Sequence, residues 1–326
     1  MSVIESVRDR SRGCLVGQIA GDNLGALVEF QSARDIRAAY PEGVRQLADG
    51  GCWNILAGQP TDDSELALAL ARSIVAAGGF DIEAVATAYG RWFASPPFDI
   101  GGTTHTALSA AARARSGKAA AAMAAADTES QANGSLMRVS PIGIWAGTPE
   151  RAARAAAEDS GLSHPHAACR AACASYAAAI SVGVRGGDAA AMLAAAEAAL
   201  DLVPSPAIRE SLALGLDGAP EHADSKHKGW VRIAYQNAFH HLARRTPFAQ
   251  ALTETIGLGG DTDTNAAITG ALLGAAQGLA AIPPEMVATV VGCRPDAGSR
   301  RPRPVEYWPN DALTLADALL AATPSP

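Results

Sequence analysis

Alanine and leucine recur along this chain at steps of three and four residues, and that spacing narrows its fold more than any other feature. In residues 64–77, SELALALARSIVAA, the positions Leu66, Ala69, Leu70, Ser73 and Ile74 share one stripe of a helix. Ala and Leu favour the helical backbone, and the β-branched and aromatic enrichment of strands is missing. The same spacing predicts helices near 5–20, 81–93, 103–115, 117–125, 150–158, 165–182, 187–200, 206–214, 229–244, 249–256, 264–279, 285–291 and 311–322. Between them stand breakers: AGGFD at 77–81, ASPPFDIGG at 94–102, VRGGD at 184–188 and LVPSPA at 202–207. Residues 294–310 form the longest irregular stretch, and neither a fixed-period repeat nor a long linker divides the chain. The expectation is an all-α fold, a single domain over 1–326 with about a dozen helices in layers.

Composition excludes several functions. Hydrophobic residues are 48% and charged residues 18% of 326, which is enough for a large core and unlike a disordered chain. The net charge of −7, from 26 basic and 33 acidic residues, supplies no basic face for a nucleic-acid backbone. Five cysteines, odd in number and widely spaced, argue against a disulfide framework, and Cys169 and Cys173 read as small buried thiols. The opening MSVIESVRDRSRG lacks the apolar centre of a signal peptide, and no run of eighteen uncharged apolar residues fits a membrane span. A cytoplasmic protein with no membrane contact is expected.

The chemistry-bearing residues stand at the mouths of apolar helices. GLGGDTDTNAAITGALLGAAQG, residues 257–278, places Asp261, Thr262, Asp263 and Thr264 before a segment almost free of charge. One helix cap needs one such residue. Four in succession exceed that need, and buried carboxylates require a compensating cation. Gly270 and Gly274, four apart, leave one side of this helix open to a close neighbour. QPTDDSELALALA, residues 59–71, repeats the arrangement with Thr61, Asp62 and Asp63. Either cluster alone reads as an ordinary N-cap. Together they offer an oxygen-donor site, which selects Mg²⁺, Mn²⁺ or Ca²⁺ over zinc.

Other positions suit ligand contact or acid–base work. In AGDNLGALVEF, residues 20–30, Asp22 and Glu29 lie seven apart and are expected on one face of one apolar helix. Asp99 sits in SPPFDIGG between two prolines and two glycines, a stiff approach and a permissive exit. QANGSLMRVSPIG, residues 131–143, offers Asn133, Gly134 and Ser135 as donors to a phosphate, with Arg138 either joining them or serving a salt bridge. His164 and His166 straddle Pro165 and suit a ligand contact better than zinc. Trp230 is either a stacking face for a base or a core tryptophan.

GDNLGALVEF, PTDDSE, DIGGTT, ANGSLMR, SHPH and GGDTDTNAAI occur in the order and spacing of the ADP-ribosylglycohydrolases, which this chain resembles over about residues 10–290. The resemblance implies an orthogonal bundle of helices around a cleft with two divalent cations, Mg²⁺ or Mn²⁺. It matches Thr61, Asp62 and Asp63 to one ligand group and Asp261, Asp263 and Thr264 to the other. Where the family commonly has a threonine after the aspartate pair, this chain has Ser64, which keeps the hydroxyl. Glu29 matches a glutamate near the substrate ribose, and Asp99 a loop aspartate of the arginine-specific enzymes. Asn133, Gly134, Ser135 and Met137 match the loop around the diphosphate and proximal ribose. His164 matches a cleft-lining histidine, and Trp230 an aromatic placed against adenine. Asp22 joins the ligand contacts.

The implied reaction is hydrolysis at ribose C1″ of ADP-ribosylated substrates, with Asp99, Glu29 and Asp62 as the candidate catalytic carboxylates. Asp99 tilts the substrate toward ADP-ribosylarginine on protein, because a carboxylate can face a guanidinium. The partner is then an ADP-ribosylated protein or a small ADP-ribose conjugate, a modified nucleic acid being a remoter substrate, and the enzyme a monomer. O-linked ADP-ribose, from serine, O-acetyl-ADP-ribose or polymer, is the alternative. A magnesium phosphohydrolase, a silent structural relative and an ADP-ribose-binding module stand further off.

Overall fold

The computed structural model describes residues 2–221 and 223–324, which form sixteen α-helices and no β-sheet, with three isolated bridge pairs. In chain order they are α1 (Val3–Ala26), α2 (Ala33–Ala39), α3 (Asp62–Ala77), α4 (Ile82–Ala94), α5 (Gly102–Arg113), α6 (Lys118–Ala125), α7 (Ser140–Trp145) and α8 (Pro149–Gly161). Then follow α9 (Ala167–Val184), α10 (Ala189–Leu202), α11 (Pro206–Asp217), α12 (Val231–Arg244), α13 (Phe248–Gly257), α14 (Thr262–Gln277), α15 (Pro284–Gly292) and α16 (Ala312–Ala321). Each segment predicted from the alanine–leucine spacing is helical. The short α2 and α7 carry too few turns to show a period, and α7 is buried on every side, so it has no polar face to contrast.

The helix predicted over 5–20 continues to Ala26, through Gly21 and Gly25. Glycine disfavours a helix interior by about 1 kcal/mol, so some other gain must hold these turns. That gain is α14, which runs antiparallel against α1. Gly13, Gly17, Gly21 and Gly25 recur every fourth residue along the contact, and each meets α14 backbone. A Cβ on Gly17 would lie 2.5 Å from Gly270 O, and one on Gly270 2.1 Å from Gly17 O. The neighbour for which Gly270 and Gly274 leave room is therefore α1. Thr262 Oγ1 closes the end of the seam with a 2.7 Å hydrogen bond to Gly25 O.

Buried apolar side chains from α1 through α16 form a large core, beside a small alanine cluster of Ala153, Ala157, Ala174, Ala178 and Ala199 between α8, α9 and α10. By length and composition alone α9, with eighteen residues and a mean hydropathy of 1.4, could cross a membrane, but it carries Arg170, so the expectation of no uncharged apolar run of eighteen stands. This helix is 83% buried inside the protein, packed by α7, α8, α10 and α14, which is why it is so apolar. All five cysteines are free thiols. The antiparallel seam has one further effect: it brings the end of α1 beside the start of α14.

Candidate active site

The start of α14 is set by two glycines. Gly259 and Gly260 have φ of 74° and 83°, and a Cβ on Gly260 would lie 2.3 Å from Ala223 O. Gly260 is fixed to the segment after α1: its N–H donates to Gln31 O at 2.9 Å and its carbonyl accepts from Phe30 N–H at 2.8 Å. This delivers Asp261, Asp263 and Thr264 to the same place as Glu29. One carboxylate oxygen from each of Glu29, Asp261 and Asp263 lies within 4.8 Å of the other two.

The start of α3 arrives at this place through Asp22. Thr61 makes no side-chain cap of its own helix. Instead the Asp22 carboxylate, reaching from α1, accepts from Thr61 N–H at 3.1 Å, Thr61 Oγ1 at 2.9 Å and Ser64 N–H at 3.1 Å. A residue of one helix thus satisfies free N–H groups of another. Thr264 Oγ1 donates to Asp63 Oδ2 at 3.3 Å and Thr61 Oγ1 lies 3.2 Å from the same oxygen, so the two aspartate motifs meet. Asp63 Oδ1 is buried with no hydrogen-bond partner among the described residues.

Glu29 differs from its expected setting. It does not share a helix face with Asp22, because α1 ends at Ala26 and the chain turns to Phe30, whose φ is 66°. Asp22 is wholly buried beneath the site, while Glu29 faces the cleft from the turn. There its Oε2 accepts from Trp53 Nε1 at 2.6 Å and from Cys52 Sγ at 3.2 Å.

The cleft has a volume of about 380 Å³. Glu29, Asp62, Asp99, Asp261, Asp263 and Thr264 line its acidic side, and Asn133, Gly134, Met137 and His164 line another. Thr61 and Asp63 lie beneath the acids. Asn133 donates its amide to Asp261 Oδ2 at 2.7 Å, joining the two sides. Ser135 is fully buried and faces away from the cleft, accepting from Ser160 Oγ at 2.9 Å and Cys173 Sγ at 3.4 Å, so it braces its loop from behind. Trp230 borders an adjoining hollow with Gln131, Lys226 and His227, and its indole N–H donates to Gln131 Oε1 at 3.1 Å. Arg138 takes the salt-bridge role: wholly buried, it pairs with Asp159 at 3.0 Å and donates to Ser163 Oγ, which bonds His164 Nδ1 at 2.8 Å.

Burial and mutual repulsion dominate the electrostatics. Desolvation, with the neighbouring acids adding to it, pushes Asp62 and Glu29 up to about 7 and Asp99 up to about 10. Asp63 and Asp263 rise well above the carboxylate range for the same reasons, and burial raises Asp261. Burial and the Arg138 charge lower His164 to about 3, so its ring is neutral at ordinary pH. The residues fit divalent cations. Every donor at the two helix heads is a carboxylate or hydroxyl oxygen, as hard cations prefer. Positive charge there relieves the repulsion and gives Asp63 Oδ1 the partner it lacks.

Several cleft residues escaped the sequence reading. Trp53 and Cys52 grip Glu29 from DGGCWN, residues 49–54, whose only signal is an aromatic and a thiol among glycines. Lys228 lines the cleft one residue before Gly229 and Trp230, and Thr103 and Thr104 line it just beyond the Asp99 loop.

The chain is similar to known proteins over almost its whole length. The model of a family described as ADP-ribosylglycohydrolase matches residues 4–325. An ADP-ribosyl-[dinitrogen reductase] glycohydrolase of Rhodospirillum rubrum is 30% identical over 282 residues, 85% of this chain and 89% of its own. An ADP-ribosylarginine hydrolase, Tri1, of Pseudomonas putida (strain GB-1) is 29% identical over 294 residues, covering 88% of this chain and 75% of its own. A solved structure described as an ADP-ribosylglycohydrolase-related protein complex aligns with a TM-score of 0.76 at 27% identity, over 98% of this chain and 99% of that one.

Proposed function

The chain belongs to the ADP-ribosylglycohydrolase family, a glycosidic-bond hydrolase, and from that premise we propose that it releases ADP-ribose from arginine side chains of protein with two divalent cations held between α3 and α14. The observation that carries this reading is the charge of the cleft. Of the five carboxylates that line it, Asp62, Asp261 and Asp263 would be taken by the cations, which leaves Glu29 and Asp99 facing one charged base among the described residues, Lys228. Such a lining favours a cationic leaving group, and a guanidinium is the side chain that meets a carboxylate with paired N–H donors.

Thr61, Asp62, Asp63, Asp261, Asp263 and Thr264 are the residues that would hold Mg²⁺ or Mn²⁺. Cations bound there supply the positive charge that keeps these acids ionised and that anchors the ribose hydroxyls. Lys228 and the backbone at Asn133–Gly134 hold the diphosphate, the neutral His164 ring closes that wall, and the hollow beside Trp230 receives adenine. Asp99, whose proton would be driven off by the charge of the bound cations, orients the guanidinium and takes a proton from the attacking water. The C1″–N bond breaks as the water oxygen bonds to C1″, and arginine leaves with its proton. The carboxylates opposite stabilise the positive charge that develops at C1″. Glu29 takes the role of base for an O-linked substrate. We infer a monomer acting in the cytoplasm.

The deciding experiment presents arginine-, serine-, acetyl-, polymer- and nucleic-acid-linked ADP-ribose to the enzyme with Mg²⁺ or Mn²⁺, and again with chelator, and measures free ADP-ribose. The arginine linkage is expected to react fastest and to stop with chelator. Faster release from an O-linked substrate, or release untouched by chelation, overturns the finer reading.

A further inference from the structure

The irregular segment near the C-terminus reaches both loops that bear on the candidate acid–base groups. Arg303 N–H donates to Pro295 O at 2.8 Å, so residues 295–303 close into a compact loop. Its base is anchored by a buried ion pair: Arg303 donates twice to Glu65 on α3, both at 2.7 Å, and Glu65 also accepts from Trp92 Nε1 at 2.7 Å. The same guanidinium donates to Ser95 O at 2.6 Å and Pro96 O at 3.1 Å, the start of the loop that carries Asp99. Arg303 is 6% exposed, so these bonds are shielded from water.

Arg301, two residues earlier and exposed, acts on the other side. Its Nε donates to Trp53 O at 2.8 Å, and its guanidinium lies 5.9 Å from the Phe98 ring centre. The Trp53 and Phe98 rings are themselves 6.1 Å apart. Gln59 Nε2 fixes Arg301 O at 2.7 Å, which holds the strap to the segment before α3. One arginine therefore holds the backbone of Trp53, whose ring donates to Glu29, and lies near the ring of Phe98, which precedes Asp99 in the chain.

We propose that Arg301 and Arg303 are positioning residues, which fix Glu29 and Asp99 at their working separation by strapping the 49–58 and 95–101 loops together. The proposal rests on the reading of those two carboxylates as the acid–base groups. Arg303 secures the root of the Asp99 loop, and Arg301 couples that loop to the tryptophan that holds Glu29. Neither arginine lines the cleft, so both act through other residues.

The test uses the full chain loaded with Mn²⁺ and the variants Arg301→Ala, Arg301→Lys and Arg303→Lys. Hydrogen exchange of peptides covering 49–58 and 95–101, Mn²⁺ content, melting temperature, kcat and KM are measured. For Arg301→Ala we expect unchanged Mn²⁺ content and melting temperature, and exchange about tenfold faster in both peptides. With it, kcat falls about tenfold to a hundredfold at nearly constant KM, as small misplacements of reacting groups do. Arg301→Lys keeps a donor and a cation over Phe98 and recovers most of the loss. Arg303→Lys loosens the 95–101 peptide more than the 49–58 peptide, since three donors on one nitrogen cannot replace the five bonds the guanidinium makes to Glu65, Ser95 and Pro96. Unchanged exchange in both peptides for Arg301→Ala and Arg303→Lys overturns the strap, as does a wild-type kcat in a variant whose loops have loosened. A wild-type enzyme that releases ADP-ribose from no linkage overturns the functional reading instead, and exchange alone then decides the strap.

Discussion

Thr264, at the head of α14, donates its hydroxyl to Asp63 Oδ2, at the head of α3, over 3.3 Å and across 201 residues of chain. Two helix starts that each look like an ordinary cap thereby become one site. Wild-type protein reloaded with Mn²⁺ after chelation should hold close to two ions per chain. Asp63→Asn or Asp263→Asn should hold one at most, and hydrolysis should fall by about a hundredfold or more. Elemental analysis beside the release assay checks both, and full Mn²⁺ occupancy in either variant counts against the shared site.

The acid cluster also makes stability depend on pH. Asp62 and Glu29 are raised to about 7 in the folded chain, so folding binds their protons more tightly. Their contribution is complete below the ordinary carboxylate range and is lost as pH rises through about 7. With chelator present, the melting temperature should fall by about 5 °C or more between pH 5 and pH 8. Mg²⁺ added at pH 8 should restore it. Scanning fluorimetry reads this directly, and a flat or rising profile in chelator would remove the electrostatic case for cations.

Asp99→Asn and Glu29→Gln keep shape and remove charge. Each variant should bind ADP-ribose and Mn²⁺ nearly as the wild type does. Asp99→Asn should lose about a hundredfold or more in turnover on the arginine linkage. Glu29→Gln keeps an oxygen for the Trp53 indole, so its loop should stay in place and its deficit should be larger on O-linked substrates. Normal turnover in both variants on every linkage would leave neither as the base.

Asp22 is predicted to be a keystone rather than a contact. Asp22→Ala leaves the N–H groups of Thr61 and Ser64 buried without an acceptor, which should lower stability by about 2–4 kcal/mol. Cation affinity should drop with it, because Thr61–Asp63 loses its anchor. Asp22→Asn retains one acceptor oxygen and should lie between. Chemical denaturation and Mn²⁺ titration measure the two effects, and an Asp22→Ala variant of normal stability would show that α3 starts correctly unaided.

The helices were legible because alanine and leucine repeat their period over many turns, as in Leu66, Ala69, Leu70 and Ile74 on α3. The aspartate motifs were legible because each exceeds what one cap requires. Glu29 was visible as a residue but not in its place. Seven residues after Asp22 suggests a shared face, but α1 ends at Ala26 and the chain then turns through Phe30, whose φ is positive. Ser135 illustrates the opposite difficulty: a polar residue in a polar turn points inward, because Ser160 and Cys173 supply partners there. Trp53, Arg301 and Arg303 were hidden for a physical reason. Irregular segments carry no period, and their contacts join positions as far apart as 53 and 301.

The glycine seam of α1 and α14 also orders events in time. Gly25 and Thr262, which close it, are 237 residues apart, so at ribosomal rates α1 waits roughly 12 to 50 seconds for its partner to be made. Throughout that wait its apolar, glycine-lined face has nothing of its own chain to cover it, and Asp261, Asp263 and Thr264 do not yet exist. Loading with cations can therefore only follow near-complete synthesis, and a nascent chain truncated before α14 has an uncovered seam and half a site rather than being an early form of the enzyme.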